Sequence, residues 1–372
     1  MKSTSSIVHP ERNSWLFKVS KFLLLLSLFT NWTASAEARQ KDPRSWIKTS
    51  AKTSVLLPPE YRPAKAQKRV YQEGEFKLVL YSEKFATGNM VYAEILPVLD
   101  PGEEITEEMR EKLRLTRLKY NGINVGLVER PWGMRGLFAI YPHQKENGWL
   151  GWTYPLKRKS ATGDLTRFKS IRLKTEITKF PVYTSELKLG KYSNLQTYEK
   201  PGVAERISRE RQLKNKAFAS RESNHIKDKL AHPRDLHKIT SPFYVTRVTY
   251  RYEIKDGKKI KHPPKRYVHK GLDLRGWEGH PVYSMAPGKV VLAQTLFFEG
   301  GFVLIDHGNG IKSGYMHLSK IDAKEGTMVQ AGDLIARAGA TGMVTAAHLH
   351  LSIWVNGYPV SPLSLLSLPV RY

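Results

Sequence analysis

Residues 347–354 read Ala-His-Leu-His-Leu-Ser-Ile-Trp. Such strict period-two alternation is the mark of a half-buried β-strand. Leu349, Leu351 and Ile353 then face a core. His348, His350, Ser352 and Trp354 share the other face, with the two imidazoles ~7 Å apart along the strand. The chain must therefore build a sheet that buries one face and leaves histidines on the other. A second strand pair is equally legible. Phe302–His307 runs into Gly308-Asn309-Gly310 and on into Ile311–Leu318, and an Asn-Gly between alternating runs signals a hairpin. On its second strand Ile311, Ser313, Tyr315 and His317 share a parity, with His317 at the far end. His307 sits beside the turn and reads as structural.

Seven of the twelve histidines fall in residues 262–350. The chain has no cysteine, so a disulfide scaffold, a thiol nucleophile and cysteine-ligated zinc are all excluded. Any metal must be held by imidazole and carboxylate. The segment Val268-His269-Lys270-Gly271-Leu272-Asp273-Leu274 offers both. His269 and Asp273 are four apart and share a face in strand or helix. Gly271 and the β-prone flanks favour an extended or bent strand. One imidazole and one carboxylate can then reach a single cation. H-x-x-x-D alone is common by chance, and its weight comes from standing beside the other two pieces.

The order H-x-x-x-D, Y-x-H-L-S, H-x-H resembles the LytM/lysostaphin-type zinc metallopeptidases. Ile239–Phe243 (ITSPF), Gly279–Gly288 (GHPVYSMAPG), Ile305–Gly310 (IDHGNG), Gly332–Ile335 (GDLI) and Asn356–Pro362 (NGYPVSP) resemble the same family in the same order, over roughly residues 239–365. The resemblance implies a compact antiparallel β-sheet domain with one Zn²⁺ in a groove. It implies His269, Asp273 and His350 as zinc ligands, His317 and His348 as further catalytic residues, and peptidoglycan peptides as substrate. All five positions are filled, which favours an enzyme over the alternative, a non-catalytic wall-binding module that recruits or activates another hydrolase. A closed structural zinc site needs a fourth ligand, and the nearby candidates, His262 and His307, lack the motif position. The loop Ala340–Ala347 departs from the family pattern.

The remainder of the chain is read from composition and turn signals. Residues 1–36 have the order of a secretory signal peptide: a basic start, the apolar run Phe22–Phe29, then Ala34-Ser35-Ala36. The apolar run is too short for the ~20 residues of a membrane span. Export to the periplasm or cell envelope is expected, with no integral span after cleavage. The 60 Lys+Arg against 34 Asp+Glu, a formal +26, then suit an anionic wall and not nucleic acid. Residues 37–68 read as a basic linker and 69–198 as a β-rich, sandwich-like domain. Its candidate strands are Phe76–Tyr81, Met90–Leu96, Arg117–Tyr120, Leu137–Tyr141 and Ser170–Thr178. Glu107–Leu118 is a candidate helix. Trp132, Trp149 and Trp152 read as core or partly covered residues. Residues 199–238 read as a basic connector whose helix, Val203–Ala219, is solvated. Residues 239–372 form the peptidase-like domain, with a basic insertion, Tyr250–Tyr267, at the groove entrance.

Overall fold

The computed structural model describes residues 48–49, 55–160, 163–188, 200–226 and 230–369. The expected leader, 1–36, and most of the stretch read as a linker lie outside the described residues. Within that stretch Val55–Leu57 pairs in parallel with Leu230–Ala231, and Tyr61 packs on His237 with ring centroids 4.4 Å apart. Among the described residues, no helix is long and apolar enough to cross a membrane.

The chain is mainly β. The alternating strand His348–Val355 lies inside a ten-stranded sheet, between Leu272–Arg275 and Ile311–Ile321. The sheet continues through Gly300–Gly308 and Gly288–Leu296, and these strands pair antiparallel. Leu349, Leu351 and Ile353 are completely buried, together with Leu274, Val303, Ile305 and Tyr315. That apolar layer holds the sheet rigid beneath the histidines of the other face.

Ahead of it lie a five-stranded and a four-stranded sheet. Phe76–Ser82, Met90–Pro97 and Gly133–Ala139 belong to the first, Arg117–Tyr120 and Gly148–Ser160 to the second. Tyr120 meets Phe138 across them at 4.8 Å. Trp152 is completely buried in this core, whereas Trp149 is exposed. The helix Glu107–Arg114, capped by the Thr106 side chain, stops short of Leu118 because Arg117–Tyr120 is claimed by the sheet. The strand expected over Ser170–Thr178 is instead Gly163–Leu173. It stops there because Asn147 Oδ1 takes the Thr175 N–H and the Phe85 carbonyl takes that of Glu176.

Val203–Ala219 is helical as its composition suggests, but it is docked and not solvated. Ala217 and Phe218 pack against Leu292, Leu296, Phe302, Leu304 and Trp354, and Glu210 is buried. These contacts lie on the sheet face that carries the histidines. A separate side sheet completes the fold. Thr246–Lys255 pairs in parallel with Val182–Lys188 and antiparallel with Lys258–Lys261 and Lys265–Val268.

Candidate metal centre

Strand register explains why the donors meet. Asp273 stands directly opposite His350, and Arg275 opposite His348, so the side chains of each pair share a face. His269 precedes this strand and is fixed by backbone bonds to Tyr244 and Val245. The residue between must be glycine. A Cβ on Gly271 would run into the His350 ring, Ser352 Oγ and the Leu351 carbonyl.

The three donor atoms converge. His269 Nε2 lies 2.9 Å from Asp273 Oδ1 and 2.9 Å from His350 Nδ1, and His350 Nδ1 lies 2.8 Å from Asp273 Oδ1. Among the described residues this is a cluster of three with metal-ligating spacing. The outer nitrogens set the tautomers. His269 Nδ1–H donates to the Pro242 carbonyl at 3.0 Å. Ser352 Oγ donates to the Lys270 carbonyl at 3.2 Å and so accepts from His350 Nε2–H at 2.9 Å. Both inward nitrogens therefore present lone pairs, beside a carboxylate oxygen. Such a donor set fits a cation, and outer bonds of this kind fix ligand orientation in metal sites. Burial would raise the Asp273 pKa, but the two imidazoles, which bond Oδ1 whenever one holds a proton on its inward nitrogen, outweigh it and keep the carboxyl far below the usual range. Burial pushes His350 down, opposed by Asp273, so its lone pair is available.

His348 and His317 complete the face. His348 Nε2 is 3.6 Å from Asp273 Oδ1, and its Nδ1–H donates to the Ala346 carbonyl at 2.9 Å. His317 packs 4.9 Å from the His348 ring and 5.9 Å from that of His350. Its Nδ1–H donates to the Thr341 carbonyl at 3.0 Å. Each thus keeps Nε2 as a proton acceptor. Burial, then the neighbouring His348 and His350, push the His317 pKa down to about 3.

His317 does not reach the site by the parity expected of it. Met316, not His317, stands opposite His350, and Tyr315 is buried in the core. Simple alternation would send His317 into that core. The ladder is shifted between Gly301 and Val303, and His317 takes a left-handed φ of 65° while its N–H bonds the Glu299 carbonyl at 2.8 Å. This bulge turns the ring onto the histidine face. A β-bulge re-aims a side chain in this way, and left-handed backbone at a non-glycine residue is strain of the sort found at functional sites.

The other histidines stay apart. His307 is buried between the Pro287 carbonyl and Ser313 Oγ, as its place by the turn suggests. His262 faces Glu253 at 3.4 Å. Two participants escaped the sequence reading. Arg247 holds Asp273 Oδ2 at 2.8 Å and Ser241 Oγ at 2.7 Å, and Ser241 Oγ lies 3.4 Å from His269 Nδ1. The one available sign of Arg247 was its place in an alternating strand-like run.

Residues 267–362 match the family model described as Peptidase family M23, a span that holds all five site residues. Peptidoglycan DD-endopeptidase ShyB of Vibrio cholerae serotype O1 is 41% identical over 104 residues, covering 27% of this chain and 24% of the relative. Peptidoglycan DD-endopeptidase ShyA of the same organism is 41% identical over 102 residues, with 27% and 24% covered. The chain thus spans about a quarter of the length of these curated relatives. A crystal structure of a candidate peptidase M23 from Pseudomonas aeruginosa is 24% identical, has a TM-score of 0.49, and covers 77% of this chain and 96% of that one. The family match lies within the span of the motif resemblance, residues 239–365.

Proposed function

We propose that this chain is a zinc-dependent endopeptidase of the bacterial envelope that hydrolyses peptide bonds in peptidoglycan stem or cross-link peptides. One observation carries the reading. Two imidazole lone pairs and a carboxylate oxygen converge within 2.9 Å, and two further imidazoles with open Nε2 atoms stand beside them. His269, Asp273 and His350 would hold the metal. Three protein ligands are the usual number in a catalytic zinc site, with a further position left for water or substrate. When bound there, zinc supplies Lewis acidity and lowers the pKa of water toward neutrality.

The chain's own groups do the rest. Asp273, ion-paired with Arg247 through its second oxygen, would fix the donor geometry. His317 and His348 are each tied to a backbone carbonyl through Nδ1. His348 Nε2 lies 3.6 Å from Asp273 Oδ1 and the His317 ring packs against that of His348, and there the pair accepts the proton of the attacking water and returns it to the leaving amine. With His317 neutral and buried, the site meets the substrate without a competing fixed charge at that wall. The substrate class rests on the named activities of the relatives and on the cationic chain, since stem peptides carry carboxylates.

Metal analysis of purified protein, followed by digestion of purified peptidoglycan, tests the reading. Stoichiometric zinc and release of peptide-cleaved fragments are expected. Protein that binds peptidoglycan and holds zinc but releases nothing would point to a recruiting module.

A further inference from the structure

The reaction proposed above makes no use of the side sheet beyond Arg247. Residues 246–268 hold eight Lys/Arg against two Asp/Glu. Strand register sorts them onto two faces. Tyr183, Arg247 and Tyr267 stand in one row, Ser185, Thr249 and Lys265 in the next, then Leu187 with Arg251, Glu253 with Ile260, and Lys255 with Lys258. The opposite face carries Glu186, Tyr252, Lys259, Lys261 and Arg266.

Each face carries one acid, and the two are paired differently. On the opposite face Glu186 pairs with Lys259 and, at 2.6 Å, with Lys261, and these bonds pull its pKa down to about 2. On the first face Glu253 answers His262. Arg251, Lys255, Lys258 and Lys265 have no ion pair among the described residues. Tyr183 and Tyr267 are each 49% exposed and flank Arg247, whose guanidinium lies 5.7 Å from the Tyr267 ring centre and reaches Asp273. This face therefore begins at the metal-donor cluster. From Arg247 to Lys255 it runs ~27 Å outward, at ~3.4 Å per residue.

We propose that this face is a docking track for peptidoglycan, extending the groove on one side of the scissile bond; the proposal rests on the peptidase reading. Charge complementarity selects the partner: spare guanidinium and ammonium groups meet the carboxylates of stem peptides. Their layout selects a polymer. A single anion is gripped by converging donors, whereas these repeat along a line: Arg247, Arg251 and Lys255 stand four residues, ~14 Å, apart on their strand, with Lys265 and Lys258 on the strands beside it. The tyrosine rings offer flat, amphipathic surfaces against which sugar rings can lie. A membrane surface fits less well, because the row next to Arg247 is polar, with Ser185 and Thr249 hydroxyls bonded to each other at 3.3 Å.

Two charge-reversal pairs of equal net change test it in the full chain. Arg251→Glu with Lys265→Glu alters the proposed track, and Lys261→Glu with Arg266→Glu alters the opposite face. Pelleting with purified sacculi, kinetics on sacculi and on a soluble cross-linked muropeptide dimer, and pelleting with phosphatidylglycerol vesicles are compared. The track variant should bind sacculi about tenfold more weakly and lose more kcat/KM on sacculi than on the dimer, while the opposite-face variant stays within about twofold of wild type. Equal weakening in both pairs would reduce the effect to net charge and overturn the proposal. So would a track variant that keeps sacculus binding but loses vesicle binding. The neutralising pair Lys255→Gln with Lys258→Gln gives the same readout in a milder form, should the first variant not fold. A zinc-loaded wild type that cleaves neither sacculi nor dimer would defeat the peptidase reading, while the pelleting comparison would still decide the track.

Discussion

Asp273 works in two directions, with Oδ1 toward the imidazoles and Oδ2 toward Arg247. His350→Ala and Asp273→Ala each delete a proposed metal donor and should lose zinc together with activity. Stoichiometric zinc retained in both would refute the donor assignment. His317→Ala and His348→Ala should keep zinc, because neither belongs to the donor triad, yet lose turnover by ~10²–10⁴-fold with much smaller changes in substrate binding. Either variant turning over at the wild-type rate with zinc bound would make that histidine a packing residue. Arg247→Met frees Oδ2 and should weaken zinc by ~10–100-fold in competition against a chelating dye; unchanged affinity would show that the contact does not orient the ligand. At this scale the site was legible where chemistry sits in short motifs. The resemblance alone added His350 to His269 and Asp273, which could be paired from spacing. Arg247 and Ser241 could not, because the register of strands 26 to 32 residues away from Asp273 brings them in.

Two elements position what the motifs supply. The bulge at His317 turns an imidazole out of a core-facing parity, and no pattern of apolar and polar residues announces a bulge. The helix Val203–Ala219 supports the same place from outside. Lys214 pairs with Glu299 at 2.5 Å, and the Glu299 carbonyl holds the His317 N–H. Buried Glu210 accepts from Arg206 at 2.7 Å and from the Phe297 N–H at 2.7 Å. Glu210→Ala should therefore lower stability by ~1–3 kcal/mol, the cost of leaving a buried donor unmet, and lower kcat with zinc retained. A loss below ~0.5 kcal/mol, the usual size for a surface change, with normal kcat would mean that the helix is only a connector. Helix propensity made this element visible in the sequence. Its docking was hidden, because the apolar contacts gather at Ala217 and Phe218 and the buried middle residue is a glutamate.

Across the whole molecule, stability should depend on buried histidines outside the donor cluster. Burial pushes His232 down to about 3 and His307 down to about 4, against ~6.5 in an unfolded chain. Below pH ~6.5 the unfolded chain takes up protons that the folded one excludes, so stability falls as pH drops toward 4, by up to ~1.4 kcal/mol per pH unit per group. Urea unfolding at pH 7 and pH 5 checks this, and equal or greater stability at pH 5 would contradict it. Export belongs to this scale too. Secreted material should begin at Glu37, and an intact Met1 on membrane-bound protein would indicate a retained anchor. The mainly β character was readable from alternation and turn signals over most of the chain. The side sheet was not, because Val182–Lys188 pairs with a strand about sixty residues later, and long-range parallel pairing leaves little local trace.

Mass spectrometry of fragments released from purified sacculi, with and without a chelator, most directly tests zinc-dependent peptidoglycan hydrolysis at this centre. Wild-type protein should release peptide-cleaved muropeptides, stop when zinc is removed and resume when it is restored, while His350→Ala releases none under any of these conditions. Release that survives chelation, or persists in His350→Ala, would contradict the account.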